Sequence, residues 1–348
     1  MRRKLLVGLC LTSIVSVALA AAVVQQQGRR ATAPAMTQAA TAWLETLDDE
    51  QRAAGQYAYD AEERVGWHFI PKASRKGVQV KEMTDEQREA AYALLSSCLS
   101  RAGYTKARRI MAIEDLLAEL ERGRGTQIRD SARYYVTIFG DVSPESRWGL
   151  SIEGHHLSLN FVVEGEQVVS MTPMFFGLNP SVVNRDFEGF RRGARVLADE
   201  ELLAFELVHS LSDEQQKIAI IQEQAPADIR NAGEAHPPTD VAEGIAFGEL
   251  TTVQQSRLVS IVDTYLRNMT PDVARERRSE IDEAGWENIK FCWQGATRPG
   301  IGHAYRIQGP SFLIEFNNNQ ADADGNPAAH IHAVWRNPHG DFALRIAE

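Results

Sequence analysis

The sequence predicts an α+β fold, with antiparallel sheet carrying the histidine motifs and several helices packed against it. Helix-period and strand-period segments come in separate runs, not in the regular alternation of a parallel α/β sheet. The strand segments also have two unlike faces, one apolar and one polar, as in antiparallel sheet. The chain has 348 residues, 44% hydrophobic and 24% charged, which is long enough for a sizeable core and ordinary for a soluble protein.

Arg2-Arg3-Lys4 is a cationic start and 5–18 is an apolar run. Ala18-Leu19-Ala20 then offers a small-x-small cleavage site, with Ala20-Ala21-Ala22 as the second choice. Residues 1–22 are therefore expected to be a signal peptide, or an uncleaved N-terminal anchor, since the apolar run continues to Val24. In either case the charges precede the run, and the remainder is expected to be periplasmic or secreted. The Gln-, Ala- and Arg-rich stretch within 23–36 reads as a disordered tether, and 37–348 as a single α+β domain. A net charge of −10 argues against nucleic acid and against a membrane partner beyond the N-terminal anchor. A small-molecule substrate or ligand is the expected partner.

Helical pattern covers 37–54, 84–121 with a break near Gly103, 198–224, and 251–284 with a break near Pro271. Four starts share a look: Asp48-Asp49-Glu50-Gln51, Thr84-Asp85-Glu86-Gln87, Ser212-Asp213-Glu214-Gln215 and Thr251-Thr252-Val253-Gln254. The second and third are capping boxes, in which a hydroxyl and a Gln satisfy orphan backbone donors. Their spacing looks irregular and reads as shared capping chemistry without a repeat. Strand pattern covers 134–139, 148–152, 157–163 and 167–171, then 289–293, 304–308, 312–316 and 329–335. Glu164-Gly165-Glu166 reads as a hairpin turn, and 225–243, with Pro226, Pro237 and Pro238, as a long surface loop bordering a cleft. Cys98 and Cys292 remain after export, either as a disulfide or as two separate buried thiols.

The most informative stretch is His330-Ile331-His332-Ala333-Val334-Trp335-Arg336. As a strand it puts His330, His332 and Arg336 on one face, with the two imidazoles about 7 Å apart at Cα. That spacing suits one cation between them, and the arginine adds a place for an anion. A second histidine pair lies where the apolar phase slips. Trp148, Leu150 and Ile152 are apolar at even positions, and Leu157, Leu159, Phe161 and Val163 at odd ones. The slip falls at Glu153-Gly154-His155-His156, which reads as a β-bulge. Beyond it, His156, Ser158 and Asn160 share the polar face. In 311–317, Glu315 lies opposite Phe312, Ile314 and Phe316, and an odd-sum pairing with the His330–His332 strand would bring it beside the imidazoles. The expected metal ligands are His156, Glu315, His330 and His332, holding a divalent ion, Zn first, with Mn, Fe or Cu as alternatives. Glu153 and His155 are the candidate catalytic groups, and Arg306, Arg336 and Asn160 the substrate-binding ones.

Four ordered motifs also carry a family resemblance. They are Gly154 to Asn160, Thr172 to Pro180, Tyr305 to Pro310 with Leu313-Ile314-Glu315, and the His330 to Arg336 segment. The set resembles the bacterial family designated domain of unknown function 3500, over about Trp43 to Phe342. The resemblance implies one fold for these segments and no activity. The residues point to an exported metal-dependent enzyme, hydrolytic, acting on a small anionic or carbonyl-containing substrate. A periplasmic binding protein for a metal ion or small anion, and a metal-dependent oxidoreductase using the same site, remain open.

Overall fold

The computed structural model describes residues 31–124 and 127–344. The signal peptide or anchor expected at 1–22 lies outside the described residues. Of the tether expected over 23–36, the part before residue 31 also lies outside the described residues, and helix α1 (Thr32–Glu45) occupies the rest from Thr32 on, burying Thr32, Ala33 and Met36. The other helices are α2 (Asp49–Gly55), α3 (Asp85–Cys98), α4 (Arg101–Leu120), α5 (Ala198–Ser210), α6 (Asp213–Ala219), α7 (Thr252–Leu266) and α8 (Pro271–Ala284). No helix among the described residues is long and apolar enough to cross a membrane.

Thirteen strands form one mostly antiparallel sheet, the α+β architecture expected. They are β1 (Gln56–Tyr57), β2 (Val78–Gln79), β3 (Tyr135–Phe139), β4 (Arg147–Gly154), β5 (Leu157–Glu164), β6 (Gln167–Ser170) and β7 (Met174–Leu178), followed by β8 (Ile220–Gln222), β9 (Ile245–Ala246), β10 (Lys290–Gly295), β11 (His303–Gln308), β12 (Leu313–Gln320) and β13 (His330–Arg336). The order across the sheet is β1-β3-β4-β5-β7-β13-β12-β11-β10-β8. It is palindromic. β1 and β8 pair in parallel with β3 and β10, β2 and β9 pair antiparallel with the same two strands, and antiparallel β7 and β13 meet at the centre. Apart from β6, each half has the same element order, so the chain is built as two copies of one unit about a pseudo-two-fold axis.

This duplication corrects the reading of the four caps. All four are capping boxes, and they belong to the two halves in pairs. In the first half the Gln51 and Gln87 side chains donate to one another at 3.1 and 2.6 Å, and Gln87 Nε2 donates to Thr46 O at 2.9 Å. In the second, Gln215 and Gln254 do the same at 3.0 and 2.9 Å, and Gln254 Nε2 donates to Ser210 O at 2.7 Å. The two halves also touch through equivalent joints between helices, where Leu99 bridges Met269. The break in 84–121 falls here, with Ser100 capping α4. Gly103 sits inside α4 for a packing reason: a Cβ there would lie 2.2 Å from Asn268 O.

Helices cover one sheet face. Leu157, Leu159, Phe176, Ile331, Ala333 and Trp335 pack into the main core with Met36, Trp43, Ile110, Leu116 and Ile261. The other face is covered by two loops at equivalent places in the repeat, 58–77 and 223–244. There Trp67, Phe69, Phe175, Ile229, Val334 and Phe342 form a second, smaller core. Trp67-His68-Phe69 is irregular backbone despite its alternation of apolar and polar residues. Cys98 and Cys292 are separate buried thiols.

Candidate metal centre

The phase slip at Gly154 is a hairpin turn, not a bulge. Gly154 pairs with Leu157, and His155 and His156 form the two-residue connection between β4 and β5. Antiparallel pairing with an odd sum matches Ile152 with Leu159 and Leu150 with Phe161, so opposite parities share one face. His156 has φ 61°, a left-handed conformation unusual for a side-chain-bearing residue. Hydrogen bonds hold it there. His156 N donates to Phe69 O at 2.9 Å, and Gly177 N donates to His156 O at 2.7 Å. The Tyr134 hydroxyl donates to His155 O at 2.8 Å.

The turn delivers the His156 ring over β7 at Gly177, where a Cβ would stand 2.8 Å from His156 Cδ2. On the neighbouring strand Gly177 pairs with His332, and His332 pairs with Asn317 on β12. Missing bulk at one residue of that row therefore leaves room for two imidazoles side by side. Three ring nitrogens converge: His156 Nε2 lies 2.7 Å from His330 Nε2, which lies 3.1 Å from His332 Nε2. His156 and His332 are buried and His330 is partly exposed. Phe69 meets His332 edge-on at 4.7 Å and fixes its ring.

The remote nitrogens face polar groups from three different segments. His332 Nδ1 is 2.6 Å from Asp228 Oδ1, His330 Nδ1 is 3.5 Å from Asn179 Nδ2, and His156 Nδ1 is 3.8 Å from Glu114 Oε1. The Asn179 amide oxygen is buried without a partner. Exchanging the amide oxygen and nitrogen lets that oxygen accept from His330 Nδ1–H, the tautomer that bares Nε2. Burial, followed by the neighbouring His155, pushes His156 well below the usual imidazole range. Burial, followed by His332, pushes His330 down to about 3. Both are therefore neutral at pH 7. One N–H on His330 at most can serve its two contacts, whereas a cation satisfies all three lone pairs at once. Metal–nitrogen bonds of about 2.0–2.1 Å at tetrahedral angles separate ligand nitrogens by about 3.3 Å, close to what the three rings already adopt.

Beside His156 lies a second group. His155 stacks on His156 with ring centroids 3.6 Å apart, and its Nδ1 is 2.6 Å from Glu114 Oε1. Burial raises Glu114 to about 8, and burial, followed by Arg129, pushes His155 well down. The contact is thus a hydrogen bond between neutral partners rather than an ion pair. Arg129, bound through two bonds to Glu121, places Nη1 3.1 Å from His155 Nδ1.

The other expected site residues fall outside the histidine group. Glu315 shares the face of His332 in an odd-sum register, but it stands two residues along, opposite Val334. Arg230 claims its carboxylate, with Nε donating at 2.5 Å, and Glu315 joins no ligand group among the described residues. Asn317 holds the place opposite His332. Glu153 is buried and committed to Lys76 at 2.9 Å and to the Ser158 hydroxyl at 3.2 Å. Asn160 is buried in bonds to Ser158 and Pro173 O. Arg336 has no exposed surface and pairs with Asp341 at 2.6 Å, a structural strut beyond a ligand's reach. Arg306 lines a cavity of about 200 Å³ on the far side of Asp228, paired with Glu243 at 2.5 Å.

Glu114, Asp228, Asn179 and Gly177 were not singled out from sequence. Glu114 carried a usable signal. It occupies a buried position in the α4 stripe of Ala107, Ile110, Met111 and Leu117, where an apolar residue is expected.

A family model matches residues 29–344, nearly the whole described chain. The protein belongs to DUF3500, a family of proteins of unknown function. No curated protein and no solved structure matches it. The family description carries no activity, so the chemistry rests on the geometry of this DUF3500 chain.

Proposed function

We propose that this DUF3500 protein is an exported metal-dependent enzyme. Its single divalent cation, zinc first, is bound by His156, His330 and His332. The convergence of three Nε2 atoms carries this reading, supported by Asp228 at His332 Nδ1 and by Asn179 at His330 Nδ1. Three imidazoles leave a fourth position of a tetrahedral ion free. A cation held by these three residues would supply Lewis-acid chemistry, activating water at neutral pH for hydrolysis of an ester or related bond. Of the two candidate bases, Glu153 is neutralised by Lys76. His155, neutral and hydrogen-bonded to Glu114, is the group able to accept a proton next to the centre. Export is supported by the cationic start and apolar run of the N-terminus.

The test is the metal content of purified protein by mass spectrometry, beside a His330→Ala/His332→Ala double variant. One equivalent in the parent and none in the variant is expected. Equal content in both, or none in either, sinks the reading. Hydrolysis of a panel of chromogenic esters and phosphoesters by the metal-loaded chain then separates an enzyme from a carrier.

A further inference from the structure

Two cavities flank the histidines, and their charge differs. The one beyond Asp228 holds Arg230 and Arg306, but Glu315, Asp240 and Glu243 neutralise them. The other lies on the opposite side, against His155, and its charged and polar lining is Lys72, Arg75, Arg133, Tyr134, Glu114 and Asp130. None of its three cations has a carboxylate partner among the described residues. Arg75 donates to the carbonyls of His68 and Ile70 at 2.6 and 2.5 Å, and Arg133 to those of Ala73 and Lys72 at 2.8 and 3.1 Å. The Lys72 ammonium makes no hydrogen bond among the described residues. The nearby acids are committed elsewhere: Asp130 to Lys81 at 2.5 Å, Glu153 to Lys76, and Glu114 to His155. Burial pushes both Lys72 and Arg75 down from their ordinary values, and for Lys72 the neighbouring Arg75 adds to it. Asp130 and Glu153 lie near enough to offset part of this charge, but three gathered cations with no ion pair of their own among the described residues, in a chain of net charge −10, are costly unless an anion completes them.

We propose that this cavity binds a phosphate-type oxyanion, the anionic group of the substrate, with Lys72, Arg75 and Arg133 as its donors. Several cations around one small cavity suit a dianion with oxygens in several directions, whereas a single carboxylate is matched by one arginine fork. His155 and Glu114 line this cavity and both adjoin His156, so a bound phosphoryl group lies next to the histidine group. The assignment of the anion as substrate rests on the metal reading; the anion site itself does not.

The test therefore uses metal-free protein. Inorganic phosphate, sulfate and acetate are titrated calorimetrically into the chelator-treated full chain and into Lys72→Gln, Lys72→Gln/Arg133→Gln and Arg306→Gln. Lys72→Gln removes no hydrogen bond, so its fold is secure, and thermal melts check the double variant. Phosphate and sulfate are expected to bind saturably, at least about tenfold tighter than acetate, and more weakly as salt rises. Lys72→Gln should weaken phosphate about tenfold, the double variant further, and Arg306→Gln not at all. Phosphate binding that is absent without metal, unchanged by Lys72→Gln, or matched by acetate overturns the proposal. A chain that takes up metal but no phosphate fails here alone. One that binds phosphate but no metal keeps the anion site and loses the metal centre.

Discussion

The hairpin turn Gly154-His155-His156-Leu157 and its counterpart Gly309-Pro310-Ser311-Phe312 hold equivalent places in the two halves. Each joins two central strands, and each closes through backbone contact between its first and last residues, Gly309 N donating to Phe312 O at 3.0 Å. One turn supplies a metal-ligand candidate and a candidate base; the other supplies a proline and a serine. The covering loops diverge in the same way. Loop 58–77 brings unpaired cations, while 223–244 brings Asp228 to His332 and an arginine already paired with two acids. The frame is duplicated and the chemistry is not. The reason is the location of the site. It forms where β7 meets β13, using a turn from one half and a strand from the other, so neither half holds a complete ligand set.

The largest expected effect breaks this asymmetry directly. His156→Ala should weaken metal binding more than about 100-fold, beyond the loss outer partners cause. Ser311→Ala at the equivalent turn should leave it unchanged, as read by competition with a chelating dye. Equal effects would mean that the turn matters only as structure. Next is Gly177→Ala. A methyl group 2.8 Å from His156 Cδ2 must push the ring away, costing about 1–3 kcal/mol in stability and a measurable part of metal affinity. A melt and a metal titration both matching the parent would show that the row has slack.

The two acids beside the ligands should behave differently. Asp228→Asn should cost about 10–100-fold in metal affinity, since it holds His332 Nδ1. Glu114→Gln should cost little near pH 7, because the acid, at about 8, is already neutral there. Its pH dependence has a definite sign. Between the ordinary value of 4.5 and about 8 the folded state keeps a proton that the unfolded state releases, so stability falls as pH rises through that window. Metal-free Glu114→Gln lacks that loss, and its advantage over the parent should grow from pH 5 to pH 8 in denaturant melts. A constant difference across that range would mean that Glu114 is ionised in the folded state.

What was legible in the sequence divides along the same line as local and non-local structure. Most strands and helices, the polar face of β13 and the odd-sum register to β12 follow from periodicity, because alternation and caps are local. The hairpin at His155-His156 was visible as a phase change, but a bulge and a two-residue turn produce the same parity switch. The duplication was present in four similar caps and hidden by divergence: of the two central turns, one reads Gly-His-His-Leu and the other Gly-Pro-Ser-Phe. Which arginine faces a ligand could not be read at all. Arg336 alternates onto the histidine face, yet Asp341 lies five residues on and folds back to bury it. Lys72, Arg75 and Arg133 come from two segments far apart in sequence, and no local pattern marks their meeting.

The smallest expected effect tests the symmetric side of the comparison. Gln87 and Gln254 each accept from an N-cap backbone N–H, at 2.9 and 2.8 Å, and each ties two helix starts together through a partner glutamine. Both are buried, and they donate to a carbonyl at the C-terminal end of α1 and of α5. Gln87→Ala and Gln254→Ala should therefore cost similar amounts, about 1–2 kcal/mol each in denaturant melts, and leave metal content untouched. If one costs far more than the other, stability has drifted between the halves as the chemistry has. If both match, the duplicated frame still bears load equally on its two sides, and the divergence is confined to the turn and loops around the histidine group.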